Sequence, residues 1–436
     1  MRPRSRSTIA VLLCAGLVTA CGSGGTRRSE GSTGPPDPVV HARLAGAVEY
    51  RSPGHHATPA ARDADLLARS EQEFSLALLR RLTRGGAGNV SVSPASLGLT
   101  LAMLQNGAAG TTRAEIVAAL RASGLTGDRL DAGWLALNRA WSAAARPGSL
   151  TLSSANALWL QRGFPLRKTF LAALSGYFDA GVWQTDFSKG STAADAMNRW
   201  TSEQTHGRIT RLFDRLDPST VLVLADAIYF TAAWATAFDA GRTQAGPFTR
   251  ADGSTVSARF LTDDQTTRPV AVTPDCSAVQ LPYRGGSFAA LAVMPTRQSL
   301  PAFVDGLTSA RLDAIVTALR PTAVDLALPR FTTTSALDLE PVLQSLGMRR
   351  AFTDSADLSQ LSAQPTRVDQ VMQRVYLAVA EKGTEAAAAT GISVVPTSVR
   401  PSGPTLRLDH PFLFLIRDTV TGAILFATQV NDPTAG

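Results

Sequence analysis

Glu381-Lys-Gly-Thr-Glu-Ala-Ala-Ala-Ala-Thr-Gly391 follows a strand-like run, Val375-Tyr-Leu-Ala-Val-Ala380, and precedes a second apolar run, Pro411-Phe-Leu-Phe-Leu-Ile416. Its spacing alone favours a short helix: Thr384 is placed to cap it, Glu385 falls in the first turn, and Gly391 can stop it. An extended chain reads differently. Successive side chains of a strand point to opposite faces, so Thr384, Ala386, Ala388 and Thr390 share one side, all of them small and uncharged. Glu385 belongs to the other side with Ala387, Ala389 and Gly391. Such a segment can enter a sheet between two strands without burying a charge or a bulky side chain. Periodicity over so short a run leaves both readings open.

Other stretches bear on the choice. They begin with Asn89-Val-Ser-Val-Ser-Pro-Ala-Ser96 and Leu101-Ala-Met-Leu-Gln-Asn-Gly-Ala-Ala-Gly-Thr-Thr-Arg-Ala-Glu-Ile116. Ser154-Ala-Asn-Ala-Leu-Trp159, Asn198-Arg-Trp200, Thr205-His-Gly-Arg-Ile209 and Leu224-Ala-Asp-Ala-Ile-Tyr-Phe230 with Trp234 and Phe238 follow. Ala351-Phe352, Ala356-Asp-Leu-Ser359, His410-Pro-Phe-Leu-Phe414 and Ile424-Leu-Phe426 complete the series. In this order, from about Leu66 to Pro433, they resemble the serpin family, and the 381–391 segment resembles the hinge of that family's reactive-centre loop. The resemblance implies an α+β fold with three β-sheets, about nine helices, and an exposed loop near the C-terminus that protrudes from the largest sheet.

The residues support an α+β reading independently. Helical spacing marks Phe74, Leu78 and Leu82, and a second helix is expected over Thr111–Leu120, capped by Thr111 or Thr112. Apolar or alternating strands are expected at Leu150–Leu160, Val221–Phe230, Ala278–Tyr283, Phe288–Met294, Val324–Leu328, Val375–Ala380, Phe412–Ile416 and Ile424–Val430. Most helices precede the middle of the chain and many strands follow it, unlike a regular βαβ wind.

The chain has 436 residues, 44% of them hydrophobic, enough for a large core. No internal linker, repeat or low-complexity block interrupts residues 63–436, which are expected to form one domain. Residues 1–20 read as a leader: arginines, then an apolar run from Thr8 to Val18, too short to span a bilayer. It ends Val18-Thr-Ala-Cys21, which resembles a bacterial lipobox, with Cys21 the acylated first residue of the mature protein. That predicts an extracytoplasmic protein held to the bacterial membrane by its lipid alone. Residues 21–62, rich in Gly, Ser, Pro and Arg, read as a flexible tether. The pair His55-His56 within it lacks further metal ligands. Removing Arg2, Arg4 and Arg6 with the leader lowers the formal charge from +7 to +4. The remaining basic residues are scattered, so no nucleic-acid partner is expected. Cys14 falls in the leader and Cys21 carries lipid, leaving Cys276 as an inert thiol.

No enzymatic frame stands out. The histidines His41, His55, His56, His206 and His410 sit in no Gly-x-Ser-x-Gly, His-Glu-x-x-His or comparable context. Gly107-Ala-Ala-Gly110 lacks the lysine of a phosphate loop. Neither catalysis, a metal nor a cofactor is expected. The resemblance implies instead a monomeric suicide inhibitor of a serine protease. The protease attacks the loop, and the hinge (Glu381, Gly383, Thr384, Glu385, Ala386, Ala387, Ala388, Ala389, Thr390) inserts into the main sheet before the acyl-enzyme is hydrolysed. The distance from hinge glutamate to reactive bond that is usual in inhibitory serpins, counted from Glu381, implies a reactive bond at Thr397–Ser398, suited to an elastase-like or subtilisin-like enzyme. Val395, Ser398 and Arg400 are alternatives, although Pro401 makes the bond after Arg400 a poor one.

The family often carries a Ser–Asn–His cluster where its sheet opens. Here Ser93 and Ser96 are present, but Asp226 and Gln373 replace the other two, and a buried Asp226 carboxylate needs a donor such as the Gln373 amide. Trp234 belongs to the same region, and Glu381 is placed to pair with Arg330. Two other readings stand beside inhibition: a non-inhibitory serpin-fold binding protein, and a cell-surface enzyme or solute-binding lipoprotein.

Overall fold

Alternation of side chains builds the main sheet. In the computed structural model, which describes residues 35–53, 57–84, 86, 88–125, 127–144, 150–384 and 404–435, this sheet has eight strands. In chain order they are β1 (Val39–Leu44), β2 (Ala47–Arg51), β3 (Leu150–Gln161), β4 (Val182–Thr185), β5 (Leu222–Ala233), β6 (Phe331–Asp338), β7 (Gln370–Ala380) and β8 (Gly383–Thr384). In space they run β1-β2-β4-β3-β5-β8-β7-β6, with β5 and β7 also paired directly. Cys21, the leader, His55, His56, Glu385–Thr390, Val395, Thr397, Ser398 and Arg400 lie outside the described residues.

β5 is buried on both faces from Leu222 to Phe230. Leu222, Leu224, Ile228 and Phe230 join the main core, while Val223, Ala225 and Ala227 join a second core on the opposite face. β7 alternates more plainly: Val371, Gln373, Val375, Leu377 and Val379 are buried and the residues between them are half-buried. The main core lies between this sheet and a second hydrogen-bonded network of ten strands. Helix α1 (Ala61–Leu82) carries Phe74 and Leu78 into it, and in α2 (Pro94–Gly107) every residue except Asn106 is buried. A helix apolar all round must lie inside a protein. Nine α-helices are present among the described residues.

Two expectations need correction, but not the number of sheets: the strands outside the main sheet form two further ones, joined by one long strand. Strand Arg320–Pro329 pairs with Thr266–Val272 through its first residues and with Thr255–Thr262 through its last, bridging the two parts. The Thr111–Leu120 helix runs Gly110–Ala119 with Ala109 at its N-cap, and the Thr112 hydroxyl accepts from the Asp357 amide instead of capping. Residues 39–51, expected within a tether, are β1 and β2, and β2 pairs with β4. Ala47-Val-Glu-Tyr-Arg51 alternates, Ala47 and Glu49 are buried, and Gly46 takes the positive φ of 88° that the turn needs. The surrounding Gly, Ser and Pro composition hid this short alternation.

The second core lies under the helix Gly190–Gln204, which with its return loop covers the outer face of the sheet. Trp159 stacks on Trp183 with ring centroids 5.2 Å apart and meets the edge of Trp200 at 5.7 Å. Asn198 fastens the return loop. Its Oδ1 accepts from the Leu212 and Phe213 amides at 2.6 and 2.9 Å, and its Nδ2 donates to the Phe213 carbonyl at 2.7 Å. Asn198→Ala removes these bonds and leaves the loop's amides without a partner, which costs about 2–3 kcal/mol. The expected lowering of the urea midpoint is read from tryptophan fluorescence, and an unchanged midpoint would show that the loop is held by its apolar residues alone.

Candidate functional site at the sheet seam

β5 and β7 lie side by side and parallel, in register from Val223–Gln370 to Tyr229–Tyr376. At the middle of this seam Asp226 faces Gln373 directly, both fully buried. Below them α2 begins. Ser93 caps it, accepting from the Ser96 amide at 3.3 Å and donating to the Leu425 carbonyl at 2.7 Å. Pro94 at the first helical position fixes the turn. The Gln373 amide closes on the Ser93 backbone: its Oε1 accepts from the Ser93 amide and its Nε2 donates to the Ser93 carbonyl, both at 2.8 Å. The same Nε2 donates to Asp226 Oδ2 at 2.6 Å, and the Ser96 hydroxyl donates to Asp226 Oδ1 at 2.5 Å.

Asn156 on β3 completes the cluster. Its Nδ2 donates to the Ser96 carbonyl at 2.6 Å, the Ser96 hydroxyl at 3.0 Å and the Thr100 hydroxyl at 2.8 Å. Asn156 pairs across the strands with Asp226. Sequence reasoning missed it, although it stands inside the quoted motif Ser154–Trp159. The Asp226 carboxyl thus receives two neutral donors. Burial pushes its pKa up to about 7, with the bonds from Ser96 and Gln373 opposing the rise.

The seam forks at its upper end. Gly383 and Thr384, which form β8, lie between the strands: Gly383 pairs with Ala233 and Ala380, and Thr384 with Ala232 and Val379. Thr384 is therefore a buried strand residue, not the helix cap its spacing favoured. A Cβ on Gly383 would stand 2.0 Å from the Ala232 carbonyl oxygen, so a glycine is required for this approach. The turn before it is held by backbone donors: the Phe238 amide bonds the Glu381 carbonyl at 2.8 Å and the Trp234 amide bonds the Lys382 carbonyl at 2.9 Å. Trp234 also donates its indole N–H to the Ala380 carbonyl at 2.9 Å.

Glu381 Oε1 accepts from the Thr243 hydroxyl at 2.9 Å and lies 3.9 Å from Arg330 Nη1. The Arg330 side chain is 55% exposed, which makes this a surface pair worth about 1 kcal/mol or less. Tyr283, also missed from sequence, reaches up from the opposite side. Its hydroxyl lies 2.6 Å from Thr384 Oγ1, and its ring stacks on Trp234 with centroids 4.5 Å apart. Ser93, Ser96, Asp226 and Gln373 therefore meet in one cluster, and Trp234, Glu381, Gly383, Thr384 and Arg330 in another higher on the same seam.

The family model for serpins (serine protease inhibitors) matches residues 69–433. The chain belongs to the serpin family. Iripin-2 of Ixodes ricinus is 34% identical over 381 residues, covering 84% of this chain and 93% of that protein. The crystal structure of mouse protein-Z dependent protease inhibitor is similar with a TM-score of 0.77 and 26% identity, over 86% of this chain and 99% of that one. Human thyroxine-binding globulin, crystallised in complex with thyroxine, has the same TM-score at 27% identity over 85% of this chain and 100% of that one. The serpin fold expected from the motifs is thus established.

Asp226 ties this site to pH. A folded-state pKa above the ordinary carboxyl value means that the folded protein binds the proton more tightly than the unfolded chain. The stability from protonation is fully present below about pH 4 and is lost as pH rises through about 7. Glu71 and Asp131, pushed by burial to about 8 and about 7, titrate in the same window. The measurement is therefore a difference between proteins. Asp226→Asn, which mimics the protonated carboxyl, should gain on the wild type by a few kcal/mol between pH 5 and 8 in urea unfolding. Parallel stability profiles for the two proteins would show that Asp226 does not change its protonation there.

Proposed function

We propose that this serpin inhibits a serine protease by suicide trapping, and that strand insertion at the β5–β7 seam is its working step. One observation carries the reading. The segment that resembles the serpin hinge already has Gly383 and Thr384 seated between the two strands. Beyond them, Ala386, Ala388 and Thr390 continue the small, uncharged alternation of Thr384. A strand extended along this line gains backbone hydrogen bonds on both sides and buries no charge on its inner face. The reactive bond in this reading is Thr397–Ser398, with Val395, Ser398 and Arg400 as alternatives, and the target is an elastase-like or subtilisin-like protease.

Inhibition is then a race. Once the loop is acylated, insertion must outrun hydrolysis, and the intact protein must be held kinetically in a state that is not its most stable. A second reading, a serpin-fold binding protein without inhibitory action, draws on the likeness to thyroxine-binding globulin. One experiment separates them: the protein is mixed with a panel of elastase-like, subtilisin-like and trypsin-like proteases. Inhibition predicts a complex that survives SDS, a new N-terminus at Ser398, and a cleaved form that melts well above the intact one. A terminus at Pro401 moves the bond to Arg400 and the target to trypsin-like enzymes. Cleavage inside the loop with no complex and no rise in melting temperature favours the binding protein.

The same proposal includes the anchor. With Val18-Thr-Ala-Cys21 read as a lipobox, the mature protein begins at an acylated Cys21 and partitions with membranes. Cys21→Ala is expected to release the protein or to retain it as unprocessed precursor, and a wild-type protein that is soluble and starts at another residue would remove the anchor from the proposal.

A further inference from the structure

Tyr283 follows the strand Cys276–Pro282 and is fully buried beneath the fork in the seam. Its ring has little freedom. One face stacks on Trp234, with centroids 4.5 Å apart and planes 13° apart, and Phe230 meets it edge-on at 5.1 Å. The backbone on either side is fixed as well: the Tyr283 amide bonds the Phe288 carbonyl at 3.0 Å and the Arg284 amide bonds the Ala233 carbonyl at 2.9 Å. A phenol held this way presents its hydroxyl at one point, among apolar rings, where a polar group left without a partner is costly. At that point stands the hydroxyl of Thr384, itself fully buried, 2.6 Å away.

From this arrangement we infer that Tyr283 is a positioning residue for strand insertion: its hydroxyl captures Thr384 and keeps the seam forked in the intact protein. Each hydroxyl is the other's means of being buried at low cost, so removing either one favours withdrawal of β8. Gly383 acts with them, since a side chain at this position would collide with the Ala232 carbonyl. The fork has a mechanical meaning. β5 and β7 are already parted by β8 at Ala232 and Val379, and direct pairing begins at Tyr229 and Tyr376. Insertion therefore starts from a seated strand end, as propagation, without first opening an unbroken seam. Starting an ordered element is commonly slower than extending it, as helix nucleation illustrates.

The effect on trapping rests on the inhibitory reading, but the docking of Thr384 does not, and the test separates them. The full protein is compared with Tyr283→Phe, Thr384→Val, the double variant, and the conservative Thr384→Ser. Phenylalanine keeps the ring stack, and unchanged near-ultraviolet circular dichroism verifies that each variant is folded. The first readout is amide hydrogen exchange in the intact protein at residues 381–384. Exchange should be slow in wild type and Thr384→Ser and at least tenfold faster in Tyr283→Phe and Thr384→Val. The double variant should be no faster than either single one, because all three lack the same bond.

The second readout is the stoichiometry of inhibition against a protease that the wild type traps. It should rise at least twofold in both single variants, with no further rise in the double and a wild-type value for Thr384→Ser. Rapid exchange at Thr384 in wild type, or slow exchange retained in Tyr283→Phe, would overturn the inference. So would a lower stoichiometry in the variants, which would make the docked hinge a brake. If the exchange pattern holds but wild type traps no protease in the panel, the capture of Thr384 stands and the inhibitory reading falls.

Discussion

Everything in this molecule is arranged around a contact between two parallel strands. β5 and β7 are held together by a slanted hydrogen-bond ladder through seven registered pairs. Parallel pairing is slightly weaker per residue than antiparallel pairing, and β5 pairs with β3 antiparallel through eleven registered residues, a longer ladder. The sheet thus has a longer seam on one side of β5 and a shorter one on the other. Separation at the shorter seam divides it into β1-β2-β4-β3-β5 and β7-β6, each still intact.

Side chains rather than backbone reinforce that seam. Gln373 spans the gap, bonding the Ser93 backbone twice and Asp226 once. The cost of this arrangement is a carboxyl buried with neutral donors. A neutral asparagine would avoid the cost, whereas the carboxyl makes its contribution to stability fall as pH rises toward 7. The helix Gly190–Gln204 and its return loop, fastened by Asn198, lie across the outer face of the same sheet.

Much of this was legible in the chain, for reasons that differ by residue. The strands around β5 and β7 show in their alternation, and the need of Asp226 for a donor from Gln373 follows from the chemistry of a buried carboxylate. Thr384 was ambiguous because a short run dominated by small side chains fits a strand as well as the helix its spacing favours; its state is decided by pairing with Val379 on one side and, on the other, with Ala232, which lies far off in sequence. Tyr283 was invisible for a related reason. It ends an apolar strand and reads as core, and its partner Thr384 is 101 positions away. Asn156 lies 60 positions from Ser96. Pairs at such separations leave no periodic trace. The β1–β2 hairpin was hidden because a flexible composition was averaged over a stretch in which five residues alternate.

That hairpin also changes what the sheet shows to its neighbours. Without it, β4 would be the border strand, with the backbone donors and acceptors of Val182–Thr185 open to any extended peptide. With it, the border moves out to β1, whose pairing with β2 slips register between Val40 and Ala42. An irregular border is a poor template for a straight incoming strand. If the β5–β7 seam works by accepting a strand, as proposed, the hairpin makes this border of the sheet a poor rival to it, so that the guest is the one the chain itself supplies.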